Sequence, residues 1–406
     1  MKVERYPYRA SAWWDKEIVA QSSACLCVAE LGMAPVLYFP LADIDLARFE
    51  DQGRRESSDG STARTWGTVA SPDILSSPVT PPDSLAELVG FGSFDQERVW
   101  IEIADGRPGD VARDVTIKEF PTWGDAADLI DVMDVRPDGP LRFLGPARSD
   151  GRRPVVEGSQ MLGQSIVASS RHAAGRRVVS ATMMFLRSAD ARLPLRFELA
   201  ELSAGRTFTG LTVQVRQGER CCAGGTVLLD VPSEDLIHHA AEPPDVPGPY
   251  ECPPYDMGVT GRDIRVVDGA YTNEADAPVG PPIVDAWVRF RDVPAEPALH
   301  AGLLAQFSGH MSIAAALRPH AGISQAQAHR TLSMGINAIS LSLHRDVRVD
   351  EWVLYRHLST FAGDGMTHAE CRVHDIEGDL LASFSVEAMV RPFPVGTGAV
   401  DDRTAL

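Results

Sequence analysis

LHAGLLAQFSGHMSIAAALRPH, residues 299–320, is an apolar helical pattern broken at its middle. Its two pieces, 299–307 and 311–317, flank Ser308 and Gly309, residue types that favour a turn or a helix start over a helix interior. A helix beginning at the break presents unpaired backbone N–H groups and the positive end of its dipole, both suited to a polarised carbonyl or a developing oxyanion. His310 stands at its mouth. A neutral imidazole there is a candidate general base, and a histidine that caps a helix or lines the core is the plainer alternative.

Outward from this stretch, the same plan occurs twice. Phe185-Leu186-Arg187 recurs as Leu343-His344-Arg345, PLRFEL at 194–199 as WVLYRH at 352–357, and Gln217-Gly218-Glu219 as Glu377-Gly378-Asp379. Each copy reads as one apolar helix followed by long strands of alternating faces, with Gly at the hairpin tips. A connector rich in Pro and Gly, 243–282, separates a first repeat with its linker at 106–242 from a second at 283–406. Residues 1–105 alternate short strand-like runs (18–20, 26–29, 36–39, 99–103) with polar, turn-rich segments at 54–63 and 71–83, the pattern of a small, mostly β domain. The expected fold class is α+β: two long helices, each wrapped by antiparallel sheet, preceded by that small domain. A chain of 406 residues suits two or three domains at about 150 residues each.

Composition removes several classes of function. A net charge of −18 argues against nucleic acid as the main partner, because a polyanion needs a basic face that the total does not supply. An anionic ligand then has to meet a local cluster, and Arg152-Arg153 and the group Arg171, Arg176, Arg177 are the candidates. The cysteines at 25, 27, 221, 222, 252 and 371 form no paired C-x-x-C modules, so neither a zinc site nor a disulfide framework is indicated and a reducing cytoplasm is the expected setting. The charged, aromatic start has no apolar core of a signal sequence, and no run approaches the ~20 apolar residues of a membrane span, so no membrane association is expected. His238-His239 and His374 lack metal-ligand spacing, and Gly224-Gly225 lacks a phosphate-loop context and reads as a bulge or turn.

WDKEIVAQS at 14–22 and VLYFPLADI at 36–44 resemble a widespread small domain of unknown function, patterned W-D-G-x-x-V-A-x-S then Y-F-P-x-x-D. Where members often carry C-P-x-K-G-x-A, this chain has SSDGSTARTWG at 57–67, without the Cys or the Lys. From residue 154 onward the sequence is similar to the acyl-CoA thioesterase II family. The family's G-G-Q-x-x-x-Q-A helix start is matched by Gly158, Ser159, Gln160 and Gln164, with Ser159 replacing the second Gly. PLRFELAEL at 194–202, GRTF at 205–208, EWVLYR at 351–356 and EGDLLASFSVEAMVR at 377–391 follow in order. The resemblance implies a double hotdog fold, hydrolysis of an acyl thioester such as an acyl-CoA, and no cofactor beyond the coenzyme A of the substrate itself.

The resemblance also carries a site. In the family, an Asp in an SD-x-x-x-L helix start, a Thr or Ser on the following strand and a Gln in a QEG-x-x-R strand activate the water together. Those positions fall here on Gly309 (beside Ser308), Ile336 and Val386, and a shift of one residue puts His310, Asn337 and Glu387 in their places. In a strand such a shift turns a side chain to the other face. His310, Glu387 and Asn337 are therefore the candidate catalytic residues, with Ser308, Gly309, Ser340, Gln160, Gln164, Glu157, Arg152 and Arg153 as candidate substrate contacts. Each has a plainer reading: outward-facing strand residues for Glu387, Asn337 and Ser340, helix capping and packing for the two Gln, a favourable helix-start charge for Glu157, and a solvated turn for the two Arg. Three functions remain open: thioester hydrolysis, a dehydration or isomerisation of an acyl thioester with His310 as base, and non-catalytic binding of an acyl thioester. Association of chains through sheet surface is also expected.

Overall fold

The computed structural model describes residues 2–6, 9–15, 17–29, 36–57, 60–95, 98–104, 113–114, 124–148, 155–255, 257, 259, 261–271, 278–328 and 331–392. The chain forms two units, Met1–Trp123 and Gly124–Leu406.

The described residues of the first unit form antiparallel sheet with three short 3-10 helices, Leu41–Asp43, Leu46–Arg48 and Asp83–Leu88. Its strands are β1 (Lys2–Arg5), β2 (Arg9–Trp14), β3 (Glu17–Ser22), β4 (Leu26–Ala29), β5 (Val36–Pro40), β6 (Glu50–Glu56), β7 (Thr62–Gly67), β8 (Leu75–Thr80), β9 (Phe91–Phe94), β10 (Trp100–Ala104) and β11 (Arg113–Asp114). They pair in the orders β1-β4-β5-β9-β8-β7-β6 and β11-β10-β2-β3 around a core that includes Phe39, Ile74, Leu75 and Phe94. The polar segments at 54–63 and 71–83, expected to be turns, contribute to β6, β7 and β8. The reason is position: β6 is an edge strand, and all of its residues but Gly53 are exposed, so no buried face imposes apolar alternation on EDQGRRE.

The second unit repeats one topology. Its first half contains α1 (Ala126–Met133), β12 (Arg136–Pro137), β13 (Arg142–Gly145), β14 (Val155–Val156), α2 (Gly158–His172), β15 (Arg177–Phe185), β16 (Ala189–Asp190), β17 (Leu195–Ala204), β18 (Phe208–Gln217) and β19 (Arg220–Asp230). The second half contains β20 (Arg262–Val266), β21 (Ile283–Phe290), α3 (Pro297–Phe307), α4 (Ser312–Leu317), β22 (Leu332–Leu343), β23 (Val353–Gly363), β24 (Met366–Asp375) and β25 (Leu380–Pro392). All but β14 and β16 join one twelve-stranded sheet, β12-β13-β17-β18-β19-β15-β22-β25-β24-β23-β21-β20. Outward from the β15–β22 seam, each first-half strand of this sheet has its counterpart in the second half, in the same chain order. The repeats at 185–187 and 343–345 run off the ends of these two seam strands. This is the α+β double hotdog expected from the sequence. Gly218 and Gly378, both at positive φ, close the β18–β19 and β24–β25 hairpins. Gly224-Gly225 corrects the expected turn: the pair lies inside β19, where a Cβ on Gly225 would come 2.0 Å from the Thr182 carbonyl of β15.

Helices α2 and α3 run antiparallel and touch where both lack side chains. A Cβ on Gly163 would stand 2.4 Å from the Gly302 carbonyl oxygen. One end of the pair is tied by Arg171 of α2 to Glu296, the residue before α3, at 3.0 Å. The other end brings the start of α2 against the broken stretch. Ser159 through Ser169 of α2 are buried without exception, so its polar side chains need partners: Gln164 Nε2 donates to Val132 O at 2.6 Å and Pro146 O at 2.8 Å, and Ser165 Oγ to Met161 O at 2.7 Å. Among the described residues no helix is long and apolar enough to cross a membrane.

Candidate active site

The break at residues 308–311 is a turn between two unequal helices. Ser308 Oγ donates back to Ala305 O at 2.6 Å, closing α3, and Met311 takes a left-handed backbone with φ of 68° before α4 begins. The expected helix at 311–317 is thus a single short helix of six residues, Ser312–Leu317. The helix whose start reaches the break is α2, with Glu157 as its N-cap residue. Its first backbone N–H groups have no intrahelical acceptor and its dipole is positive there, so the long-helix N-terminus at the break belongs to the first repeat.

His310 sits among charged and polar groups from three elements. Its Nε2 lies 3.6 Å from Glu157 Oε2 and 3.4 Å from Arg262 Nη2 on β20. Gln306, on the last turn of α3, closes the ring: Arg262 Nη1 donates to Gln306 Oε1 at 2.9 Å, and Gln306 Nε2 donates to Glu157 Oε2 at 3.1 Å. The Arg262 guanidinium also lies over the Phe307 ring, 5.0 Å from its centre, and the same ring packs beside His310 at 5.0 Å. Arginine only donates, so its contact leaves the His310 Nε2 lone pair as the acceptor; once protonated, the same nitrogen faces the Glu157 carboxylate. Desolvation raises the Glu157 carboxyl above the ordinary carboxylate range, against the opposing pull of Arg262 and the Gln306 hydrogen bond. Even so, 42% of its side-chain surface stays accessible. Tyr271 completes the surroundings: burial raises its phenol first, with Tyr255 next and Glu157 adding to the shift, and it meets the Tyr255 ring edge-on at 4.9 Å.

The family's three positions are filled differently. A Cβ at Gly309 would fall 2.3 Å from Ser159 Oγ and 3.6 Å from Ile336 Cδ1. Position 309, where the resemblance places the family's Asp, thus has no side chain, and the hydroxymethyl of Ser159 fills the space that one would need. Positions 159 and 309 thus share one space across the helix pair. Val386 is buried and apolar, and Glu387 next to it is exposed on the opposite face, 3.6 Å from His368 Nε2. The one-residue shift therefore does turn Glu387 away from the helices, and the structure does not bring it to His310. Asn337 behaves otherwise. Ile336 pairs with Ala388 and Ala338 with Glu387, so Asn337 is the extra residue of a β-bulge, and the bulge lets it share the helix-facing side with Ile336 and Ile339. Its Oδ1 is buried and has no hydrogen-bond partner among the described residues.

The remaining candidates separate in the same way. Ser340 is exposed on the outer face of the sheet, paired with Thr182 and Ser385. Gln160 Nε2 donates to Pro146 O at 3.2 Å, and with Gln164 it anchors α2 to the preceding loop. Arg152 and Arg153 lie outside the described residues. Arg171 reaches Asp134 and Glu296, Arg176 holds the carbonyls of 205–207, and Arg177 pairs with Asp230, so each of these three is engaged within the chain. Sequence reading missed Arg262, Gln306 and Tyr271. The apolar character of RDIRV at 262–266 is low, yet every residue of that strand is buried, and a charged pattern in a covered strand was the available signal. No group of His, Cys, Asp and Glu among the described residues has the geometry of a metal site.

A twelve-stranded sheet duplicated over two antiparallel helices makes this a double hotdog protein. The comparisons make the family plain: the acyl-CoA thioesterase N-terminal domain matches residues 147–229 and the C-terminal domain residues 238–390, together more than half of the chain, which belongs to the acyl-CoA thioesterase family. A domain of unknown function matches residues 2–103. The chain is 23% identical over 282 residues to acyl-CoA thioesterase 2 of Haemophilus influenzae, covering 65% of this chain and 97% of the relative. Among solved structures, the tesB protein of Mycobacterium avium subspecies paratuberculosis aligns with a TM-score of 0.57 at 23% identity, over 66% of this chain and all of the other. Acyl-CoA thioesterase II TesB2 of Mycobacterium marinum aligns with a TM-score of 0.56 at 24% identity, over 66% and 99% of the two chains.

Proposed function

We propose that this chain hydrolyses acyl-CoA thioesters with His310 as general base and Glu157 as its partner, a pair that stands in for the family's Asp, Thr and Gln. The observation that carries the reading is the place of His310 Nε2, between an arginine donor at 3.4 Å and a carboxylate oxygen at 3.6 Å. Water displaces the 3.4 Å Arg262 contact at that nitrogen and the neutral imidazole takes its proton; charged, it is stabilised by Glu157 and returns the proton to the departing thiolate. The attacking oxygen adds to the thioester carbonyl, whose electron pair moves onto its oxygen to give a tetrahedral oxyanion faced by the N–H groups opening α2 at Gly158 and Ser159, and collapse of that oxyanion breaks the C–S bond. Asn337, with an unpartnered buried acceptor, orients the water. The supporting context is the family, whose members' names state acyl-CoA as substrate.

Incubating the purified chain with a panel of acyl-CoAs and following free thiol and product mass tests this. Thiol release lost in His310→Ala supports it, no release from any chain length sinks it, and a change of water content on an intact thioester moves the assignment to a dehydratase. The proposal also places the chain in the cytoplasm, in fatty acid metabolism, and in association through the outer sheet face, where Met184 and Leu228 are exposed. Light scattering showing a strict monomer removes the last element.

A further inference from the structure

Behind the His310 turn lies a polar trio that hydrolysis as described does not use. Ser312, the first residue of α4, places its Oγ 2.9 Å from His357 Nδ1 on β23, and Cys371 Sγ on β24 lies 3.4 Å from that nitrogen and 3.7 Å from the Ser312 oxygen. All three side chains are buried, His357 completely. The imidazole is stacked on Tyr355 at 6.3 Å and meets the Phe384 ring edge-on at 5.6 Å. Burial holds it neutral, its pKa pushed down to about 3, and raises the Cys371 thiol to about 12, so neither group is an ion or a thiolate nucleophile near neutrality. Three polar groups inside an apolar layer cost stability unless they hydrogen-bond, as these do with one another, and a buried network of this kind fixes the geometry of the elements that carry it. The geometry within reach is Met311, a residue with a Cβ held at φ 68°, directly between His310 and Ser312. A left-handed backbone at a non-glycine residue persists only where its surroundings over-determine it.

We propose that Ser312, His357 and Cys371 form a latch that holds the Met311 turn in its left-handed form and thereby keeps His310 against Glu157. All three are positioning residues that act through His310, and the proposal rests on the reading of His310 as the base. Release of the hydroxyl from His357 frees Ser312 from β23, and the turn relaxes toward ordinary backbone with the imidazole displaced. A displacement of about 1 Å at a reacting group is worth a factor on the order of 100 in rate.

The test compares full-length wild type with Ser312→Ala and Ser312→Thr. Expected for Ser312→Ala is a fall in kcat of about tenfold or more with KM for acyl-CoA within about twofold, and recovery of most of kcat in Ser312→Thr, which keeps the hydroxyl. Hydrogen exchange of the amides at 308–313 is measured on the same proteins without substrate. Faster exchange confined to that turn in Ser312→Ala supports the latch, and unchanged exchange there overturns it, as does exchange rising equally across α2, α3 and the sheet. Because this arm needs no turnover, failure of the latch is distinguishable from failure of His310 as base, which shows instead as His310→Gln retaining full kcat. If Ser312→Ala does not fold, His357→Gln serves with the same two readouts and the same outcomes.

Discussion

Replacing Gly309 by Ala drives a methyl group into Ser159. The new Cβ would stand 2.3 Å from Ser159 Oγ and 2.6 Å from its Cβ, and Ser159 is only 2% exposed on a helix pinned at Gly163 against Gly302, so little room exists to yield. Overpacking of this kind costs about 1–3 kcal/mol. Ser159→Gly by itself removes the hydroxymethyl and loosens the first turn of α2, at about 0.5–1 kcal/mol plus a small gap. In the double variant the methyl at 309 occupies the space vacated at 159. The double should therefore be more stable than the sum of the singles predicts, with a coupling of about 1–3 kcal/mol, in the range seen for residues in contact. Chemical denaturation combined with native-state hydrogen exchange of the α2 and α3 amides gives the four stabilities of the cycle. Additivity within about 0.5 kcal/mol would refute the claim that positions 159 and 309 share one space.

Three further outcomes follow from the same geometry. Asn337→Leu removes a buried acceptor without a partner and should raise stability by about 1 kcal/mol while lowering kcat; a loss of stability, or unchanged turnover, contradicts the role given to its amide. Asp285 on β21, with 8% of its side chain exposed, has its pKa raised to about 6 by burial, with Arg356 at 3.8 Å opposing the shift in part. Between the unfolded value near 3.8 and about 6 the native state binds more protons, so stability falls as pH rises through that window; Asp285→Asn should flatten this slope in pH-dependent unfolding, and an unchanged slope rejects the assignment. Arg171→Ala should destabilise the α2–α3 end held by Asp134 and Glu296 and leave KM for acyl-CoA unchanged, whereas a large rise in KM would return this arginine to the coenzyme.

The duplicated plan was legible because its carriers are local: helix and strand periodicities, hairpin Gly at 218 and 378, and the paired words at 185–187 and 343–345 all act through neighbours in sequence. His310 and Glu157 were also legible as types, one at a break and one at a helix start. Their partnership was not, because it joins residues far apart in the chain through an antiparallel helix contact whose register is set by Gly163 and Gly302. The face of Asn337 was hidden for a related reason. A strict period of two assigns inward and outward residues only along an unbroken strand, and the bulge at 336–338 changes the phase, admitting Asn337 while leaving Glu387 of β25 outside. Arg262 was missed because the one signal, the charged pattern of RDIRV, reads as exposed loop until the cover of that edge strand is known.

The central claim is that His310 and Glu157 work as one unit, and a kinetic cycle on acyl-CoA hydrolysis tests it most directly. The kcat of wild type, His310→Gln, Glu157→Gln and the double variant would be compared. The expected result is a loss of about 10²–10⁴ in His310→Gln, a smaller loss in Glu157→Gln, and a double variant no worse than His310→Gln alone. Losses that multiply independently, or a His310→Gln enzyme with wild-type kcat, would contradict it.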